Sequence, residues 1–156
     1  MSKKPFFPLY MDLSGKDILF VGGGTIATRR IAVLQPFTEC ITVVAPEGDG
    51  SILALVEDGN ASWIMREFEM EDLEGRDIVF AATDDKELNA QIAAACRKKG
   101  IPVNNASDRE LCDFYFPGIV RQGETVIGVS ASGDDHRKAR RVRERIQQIL
   151  TEEGIL

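Results

Sequence analysis

Apolar positions in this chain fall into alternating rhythms, short unbroken runs followed by stretches at helical spacing. Ile18-Leu19-Phe20-Val21 is an unbroken run and predicts a strand buried on both faces. Ile26, Ala27, Ile31 and Leu34 then share one side of a helix that stops at Pro36. Ile41-Thr42-Val43-Val44-Ala45 predicts a second strand, ended by Pro46. Gly48-Asp49-Gly50 reads as a loop, Ile52, Leu53, Leu55 and Val56 as a short helix, residues 62–68 as an alternating strand, and residues 70–75 as an acidic turn. Residues 77–83 are another buried strand. Leu88, Ile92, Ala95 and Cys96 then mark a helix that closes on Arg97, Lys98, Lys99 and Gly100. Cations and a glycine suit the negative, carbonyl-bearing end of a helix. Residues 101–105 form the last strand of this alternation.

Past residue 113 the rhythm changes. Residues 114–121 and 124–130 read as two strands joined at Gln122-Gly123. Ser132-Gly133-Asp134 opens a final helix with Ala139, Val142, Ile146 and Ile149 on one face. Arg137, Lys138, Arg140, Arg141, Arg143 and Arg145 fill much of the rest. A hairpin and one amphipathic helix cannot bury themselves alone, so they must cover the first domain or pair with a second copy; exposed strands with an apolar stripe favour two-fold pairing, and a homodimer is expected. At the other end, Phe6 to Met11 form an apolar lead-in, expected to add an edge segment or to pack under the first strand.

The chemistry begins where the first strand meets its helix. Gly22-x-Gly24-x-x-Ala27 is the dinucleotide fingerprint with alanine at its third position. Gly22 permits the sharp turn, Gly24 leaves room for a pyrophosphate, and Ala27 lets the helix lie close on the sheet. The unpaired N–H groups of the helix start then face the phosphates. Because the motif follows a strand and opens a helix, the fold expected is α/β, a Rossmann-like parallel sheet with helices on both faces over residues 1–113. The hairpin and basic helix of 114–156 follow as a dimerisation segment. Ligands in such sheets bind outside the carboxyl ends of the strands, where three loops converge: Gly22–Thr25, Ala82–Asp85 and Asn104–Asp108. The cofactor-binding candidates are therefore Gly22, Gly23, Gly24, Thr25, Ile26, Ala27, Ala82, Thr83, Asp84 and Asn104. One of Asp84 and Asp85 is expected to cap the following helix. The acid that binds an NAD ribose usually lies about 20 residues past the glycines. That count lands on Val44, and the nearest acid is Glu47 beyond the proline. No basic residue stands there to receive a 2′-phosphate, which favours NAD over NADP.

Composition narrows the class. The 156 residues are 44% hydrophobic and 28% charged, enough for one domain with a small appendage. The net charge of −6 argues against general nucleic-acid binding. Residues 1–135 hold 13 basic and 22 acidic side chains, net −9; residues 136–156 hold 6 and 3, net +3. No run approaches the ~18 apolar residues of a membrane span. The start has no long apolar stretch of a signal peptide. Cys40, Cys96 and Cys112 are odd in number and form no C-x-x-C, so reduced thiols in the cytoplasm are expected and no metal site.

The chain resembles the precorrin-2 dehydrogenase/sirohydrochlorin ferrochelatase family of sirohaem synthesis. The matching residues are Phe7-Pro8-Leu9-Tyr10, Val21-Gly22-Gly23-Gly24-x-x-Ala27-x-Arg29-Arg30, Thr42-Val43-Val44-Ala45-Pro46, Ala81-Ala82-Thr83-Asp84-Asp85, Val103-Asn104 and Glu110-Leu111-Cys112-Asp113-Phe114-x-Phe116-Pro117. The resemblance implies NAD-dependent oxidation of precorrin-2 to sirohydrochlorin, and in some members insertion of iron. A family aspartate that is the candidate base falls at Ser107 here, with Asp108 next to it. Either Asp108 takes the proton after a one-residue shift, or no side-chain base is needed; a serine hydroxyl is a poor proton acceptor near neutral pH. The chain ends about where the family's helical C-terminal domain would start. A carboxylate-rich tetrapyrrole calls for cations and donors, for which Arg29, Arg30, Asn105, Arg121 and the basic helix face are the candidates. His136 is the one histidine and reads as a surface or capping residue. The rival reading is a module that binds NAD or a tetrapyrrole without turnover.

Overall fold

A computed structural model of the chain describes residues 5–59, 61–131 and 135–154. It forms two compact units, Met11–Phe114, and Met1–Tyr10 together with Tyr115–Leu156.

The first unit runs β1 (Ile18–Gly23), α1 (Thr25–Leu34), β2 (Ile41–Gly48), α2 (Gly50–Glu57), β3 (Ser62–Ile64), β4 (Ile78–Ala81), α3 (Lys86–Lys99) and β5 (Val103–Asn105). The strands form one parallel sheet in the order β3-β2-β1-β4-β5. The chain winds outward from β1 in one direction as far as β3, then restarts at β4 on β1's other side. The gap between β1 and β4 is the switch point at which ligands enter such sheets. Strand side chains alternate, so the register fixes two cores. Leu19, Val21, Val79, Ala81 and Val103 face α3 and pack with Ile92, Ala93 and Cys96. On the opposite face Phe20 stacks on Phe80, centroids 4.4 Å apart, and Phe114 meets Phe80 edge-on at 5.5 Å. The guanidinium of Arg30 from α1 lies over the same Phe80 ring. Burying each large apolar side chain contributes about 1.5–3 kcal/mol.

Where the sheet's strand boundaries differ most from the sequence expectation, a physical reason is visible. β2 runs through Pro46 to Gly48. Val21 pairs with Val44 and Gly23 with Gly48, so Gly22 alone stands opposite Ala45, Pro46 and Glu47. Pro46 lies in this bulge, where a missing N–H breaks no ladder. β3 ends at Ile64 because the Arg66 amide turns back to the Ile64 carbonyl and its guanidinium binds the Asp72 carboxylate. β5 begins at Val103, since Pro102 has no N–H to donate and offers only its carbonyl, to Val79 N.

The free edge of β5 is covered by the residues after it. Asp113 accepts the Val103 amide through its carboxylate and donates its own amide to the Val103 carbonyl. The Cys112 thiol accepts from Asn105 N and donates to Asn105 O. A three-residue edge is thereby closed against pairing with another chain.

In the second unit β6 (Gly118–Gln122) and β7 (Thr125–Val129) form an antiparallel hairpin against which α4 (His136–Glu152) packs. β6 starts at Gly118 rather than 114 because Phe114 is held in the first unit, where its carbonyl accepts from Asn104. The stem of Arg143 lies on Gly118, where an added Cβ would come within 3.0 Å of its Cδ. The Asp135 carboxylate caps α4 through Lys138 N. The expected helix start at Ser132-Gly133-Asp134 lies outside the described residues. The apolar lead-in is neither an edge strand nor a buried layer. Phe6 meets Tyr115 at a tilt with ring centroids 4.1 Å apart, the Tyr10 hydroxyl donates to Val126 O, and Phe7 is 86% exposed. Its residues supply aromatic contacts to the hairpin unit and no ladder.

Candidate functional site

The site lies at the carboxyl ends of β1, β4 and β5. Gly22 has φ +106°, a region where an L side chain is strained, and a Cβ there would strike the Ala82 carbonyl and stand 2.9 Å from Thr83 N. A Cβ on Gly23 would stand 2.9 Å from Glu47 O. These two glycines are required by the protein's own packing. Gly24 is different: no atom lies within 4 Å of a Cβ built on it. It caps α1 with no side-chain hydrogen bond, and Thr25 and Ile26 beside it are exposed, Ile26 at 44%. Ala27 behind them is fully buried and brings the helix onto the sheet. The result is a helix N-terminus whose first turn no side chain caps, fronted by an open glycine. Such a terminus receives a phosphate group on backbone N–H donors and a favourable dipole.

The β4 and β5 loops are tied together by one amide. Asn89 on α3 is fully buried. Its Oδ1 accepts from Thr83 N and the Thr83 hydroxyl, and its Nδ2 donates to Thr83 O and to the Ser107 hydroxyl. Ser107 in turn donates its hydroxyl to Asn105 Oδ1 at 2.8 Å, and the same oxygen accepts Ser107 N and Asp108 N. Three donors on one atom fix which end of the Asn105 amide is oxygen. Its Nδ2 is left buried with no partner among the described residues, and Asn105 as a whole is 3% exposed. A buried amide donor without an acceptor is costly and marks a place for one.

Ser107 is thus committed to holding the loop, whereas Asp108 is exposed. One carboxylate oxygen of Asp108 caps the turn at Glu110 N, and the other has no partner among the described residues. Asp85, not Asp84, caps α3, through Glu87 N and Leu88 N; Asp84 is exposed at the loop tip. Asn104 faces the α1 side. Its Oδ1 accepts from Arg30 at 2.7 Å and its Nδ2 donates to Phe114 O, so both ends of the amide are used internally. Burial lowers the pKa of Arg30, the Cys112 thiol opposes that, and Arg29 adds to it; the group remains a cation. Burial also raises the Cys112 thiol above its ordinary range, against the Asn105 hydrogen bond and the Arg30 charge. Arg29 is exposed one turn from Thr25. Arg121 belongs to the other unit, on β6, where its guanidinium reaches Gly123 O. Among the described residues no three His, Cys, Asp or Glu side chains gather as a metal site, and no helix is long and apolar enough to cross a membrane.

One residue missed by reading the sequence adjoins this site. Asp49, directly after β2, donates its amide to Gly23 O. Its carboxylate accepts Ser51 N at 2.8 Å and the Thr28 hydroxyl at 3.3 Å. The Ser51 amide, and with it the Thr25 and Thr28 hydroxyls, hold its pKa below the ordinary carboxylate range. An acid after β2 at this distance from the glycines was the signal, hidden by the bulge.

Comparison with known proteins agrees with this geometry. Residues 9–118 match a family model described as "Putative NAD(P)-binding". Siroheme synthase of Psychrobacter sp. (strain PRwf-1) is 38% identical over 144 residues, 92% of this chain and 30% of that protein. Siroheme synthase of Pseudomonas entomophila (strain L48) is 39% identical over 142 residues, 91% of this chain and 31% of that protein. The chain therefore spans about three tenths of the length of these relatives. Among solved structures, SirC, precorrin-2 dehydrogenase, superposes with a TM-score of 0.79 at 27% identity, covering 92% of this chain and 70% of that one. With the model matched across the whole of the parallel sheet and its glycine loop, the chain belongs to this NAD(P)-binding family.

Proposed function

We propose that this chain oxidises precorrin-2 to sirohydrochlorin with NAD⁺ as the hydride acceptor. The observation that carries the reading is the open glycine at an uncapped helix start, in a fold that superposes on SirC, precorrin-2 dehydrogenase, over 92% of the chain. The siroheme synthase relatives point to the same tetrapyrrole substrate. The residues at the site fit a dinucleotide, with the α1 N–H groups and Gly24 for the pyrophosphate, and Ala82, Thr83 and Asp84 along its path. A bound NAD⁺ would supply the hydride acceptor. The protein binds and orients: Arg29, exposed one turn from Thr25, offers donors to substrate carboxylates or to the cofactor. Asp108 takes the proton lost with the hydride in this reading, which its second, open carboxylate oxygen supports. Ser107 positions that carboxylate through Asn105, and Arg30 with Asn104 stiffens the strand below it.

The test is an anaerobic assay with precorrin-2 and NAD⁺, following NADH and tetrapyrrole absorbance together. Wild type is expected to turn over, and Asp108→Asn to lose about 10²–10⁴-fold in rate while still binding NADH. NADH binding without turnover by wild type would favour a carrier or sensor.

Three further parts belong to the reading. Residues 11–114 form the nucleotide-binding part and 115–156 the dimerisation part of a homodimer. Support for the homodimer comes from α4, where Val142 is 42% exposed in the single chain, and from β6 and β7, whose apolar residues other than Val120 are only half-buried. The compartment is the cytoplasm, a reading supported by three free cysteines that form no disulfide.

A further inference from the structure

Helix α3 buries Ile92, Ala93 and Cys96, and with them one polar residue, Asn89. An amide on an apolar helix face costs free energy unless its hydrogen bonds are made. Here all of them are. Oδ1 accepts two bonds and Nδ2 donates two, the number of donors the group has. Three of the four go to Thr83, and the fourth goes to the Ser107 hydroxyl at 3.1 Å. The sheet's own ladder ends between these two loops, at the bond from Ala106 N to Ala81 O. Beyond it Asn89 carries the connection onward, from Thr83 through Ser107 to Asn105 Oδ1, which also accepts the Asp108 amide. Asn105 Nδ2 has no partner among the described residues, so the donors at Oδ1 are what orient that amide.

We infer that Asn89 is a positioning residue for the oxidation: through Ser107 and Asn105 it holds Asp108 at a fixed separation from the cofactor loop at Thr83. This rests on the proposed dehydrogenase reading, in which one substrate gives a hydride to NAD⁺ and a proton to Asp108. Two acceptors that serve one substrate have to be in place together, and a displacement of about 1 Å costs on the order of 10²-fold in rate. Asn89 is fully buried and meets no substrate; it acts through Asp108.

The test is a double-mutant cycle between Asn89→Ala and Asp108→Asn in the precorrin-2 assay, with NADH affinity and amide exchange of the ligand-free protein measured beside it. Ser107→Ala is a second cut in the same link. It removes one hydroxyl and leaves in place the bonds of Asn89 to Thr83 and the Ser107 and Asp108 amide bonds to Asn105. Where Asn89→Ala does not fold, the Ser107→Ala arm decides. In each variant kcat is expected to fall by at least about tenfold, with KM within about threefold of wild type. Ser107→Ala is expected to keep NADH affinity within about threefold as well. Exchange at the Asp108 amide is expected to quicken by at least about tenfold, and at Phe20 and Phe80 to stay as in wild type. With Asp108→Asn already present, either substitution is expected to cost less than about threefold more in kcat. An unchanged kcat in Ser107→Ala, an Asp108 amide that exchanges no faster, or equal losses with and without the Asp108 carboxylate would overturn the inference and leave the dehydrogenase reading standing. No turnover by wild type would overturn that reading, and the inference with it.

Discussion

The three consecutive glycines look alike in sequence and do different work. Gly22 turns at φ +106° against the Ala82 carbonyl, Gly23 packs on Glu47 O, and Gly24 touches nothing. A side chain at Gly22 meets both backbone strain and a backbone clash, and backbone cannot step aside as a side chain can. Gly22→Ala is therefore expected to destabilise the fold by about 2–4 kcal/mol, read by urea denaturation. Gly24→Asp should leave stability within about 0.5 kcal/mol, because the space is open and an acid suits a helix N-terminus. It should instead weaken NADH by at least about tenfold by placing an anion where the proposed pyrophosphate site stands. Unchanged NADH affinity in Gly24→Asp would remove the phosphate role of this turn. Gly22 and Gly23 were legible as turn glycines because each answers a local steric demand. The role of Ser107 was not, since its hydroxyl is tied by Asn89, eighteen positions earlier, and no local pattern encodes that bond.

Elements were legible in type and less so in extent. The five strands, the helix caps at Asp85 and Gly100, and the hairpin all follow from apolar runs, glycine positions and charge. Boundaries moved where side chains overrode propensity: Pro46 inside a bulge, and Arg66 ending β3 by binding Asp72. That last contact gives the single turn at Met70–Leu73 a pH dependence. The buried Asp72 carboxylate accepts both Arg66 nitrogens, at 2.8 and 2.6 Å, and the Glu69 amide. Arg66 foremost, then the Glu69 amide and the Arg76 charge, hold its pKa below the ordinary carboxylate range despite burial. A carboxyl whose folded pKa is depressed stabilises the fold at every pH above its unfolded value, about 3.9. That contribution is lost as pH falls through and below this value. Asp72→Asn is thus expected to cost about 1–3 kcal/mol at pH 7 and to flatten the loss of stability below about pH 4. Thermal melts of both proteins from pH 3 to pH 7 check it; parallel curves across that range would assign the pair no linked role.

Over the whole chain, charge and apolar surface divide along the same line as the two compact units. Residues 11–114, with 10 basic and 19 acidic side chains, are net −9 and contain the nucleotide-binding sheet; the other unit, with 9 and 6, is net +3, and its basic excess sits on α4. Much of that excess is internally balanced. Arg140 and Arg143 both reach Glu144, and Arg140 draws that carboxyl below its ordinary range. Exposed pairs of this kind are screened by solvent and set no strong field. The apolar side of α4 is the stronger signal. In the single chain Val142 is 42% exposed, while Ile146 and Ile149 are only half-buried against the hairpin. A 17-residue helix with such a face, beside two strands of half-covered apolar residues, leaves surface that a second copy would bury. Val142→Asp places a charge in that face without touching the sheet, so it separates association from cofactor binding. Wild type is expected to sediment as a dimer at micromolar concentration and the variant as a monomer with NADH affinity retained. A wild-type monomer would overturn the pairing outright. A Val142→Asp dimer would move the contact away from α4, to the exposed aromatics at Phe7 and Tyr10, which lie in the same unit as the helix.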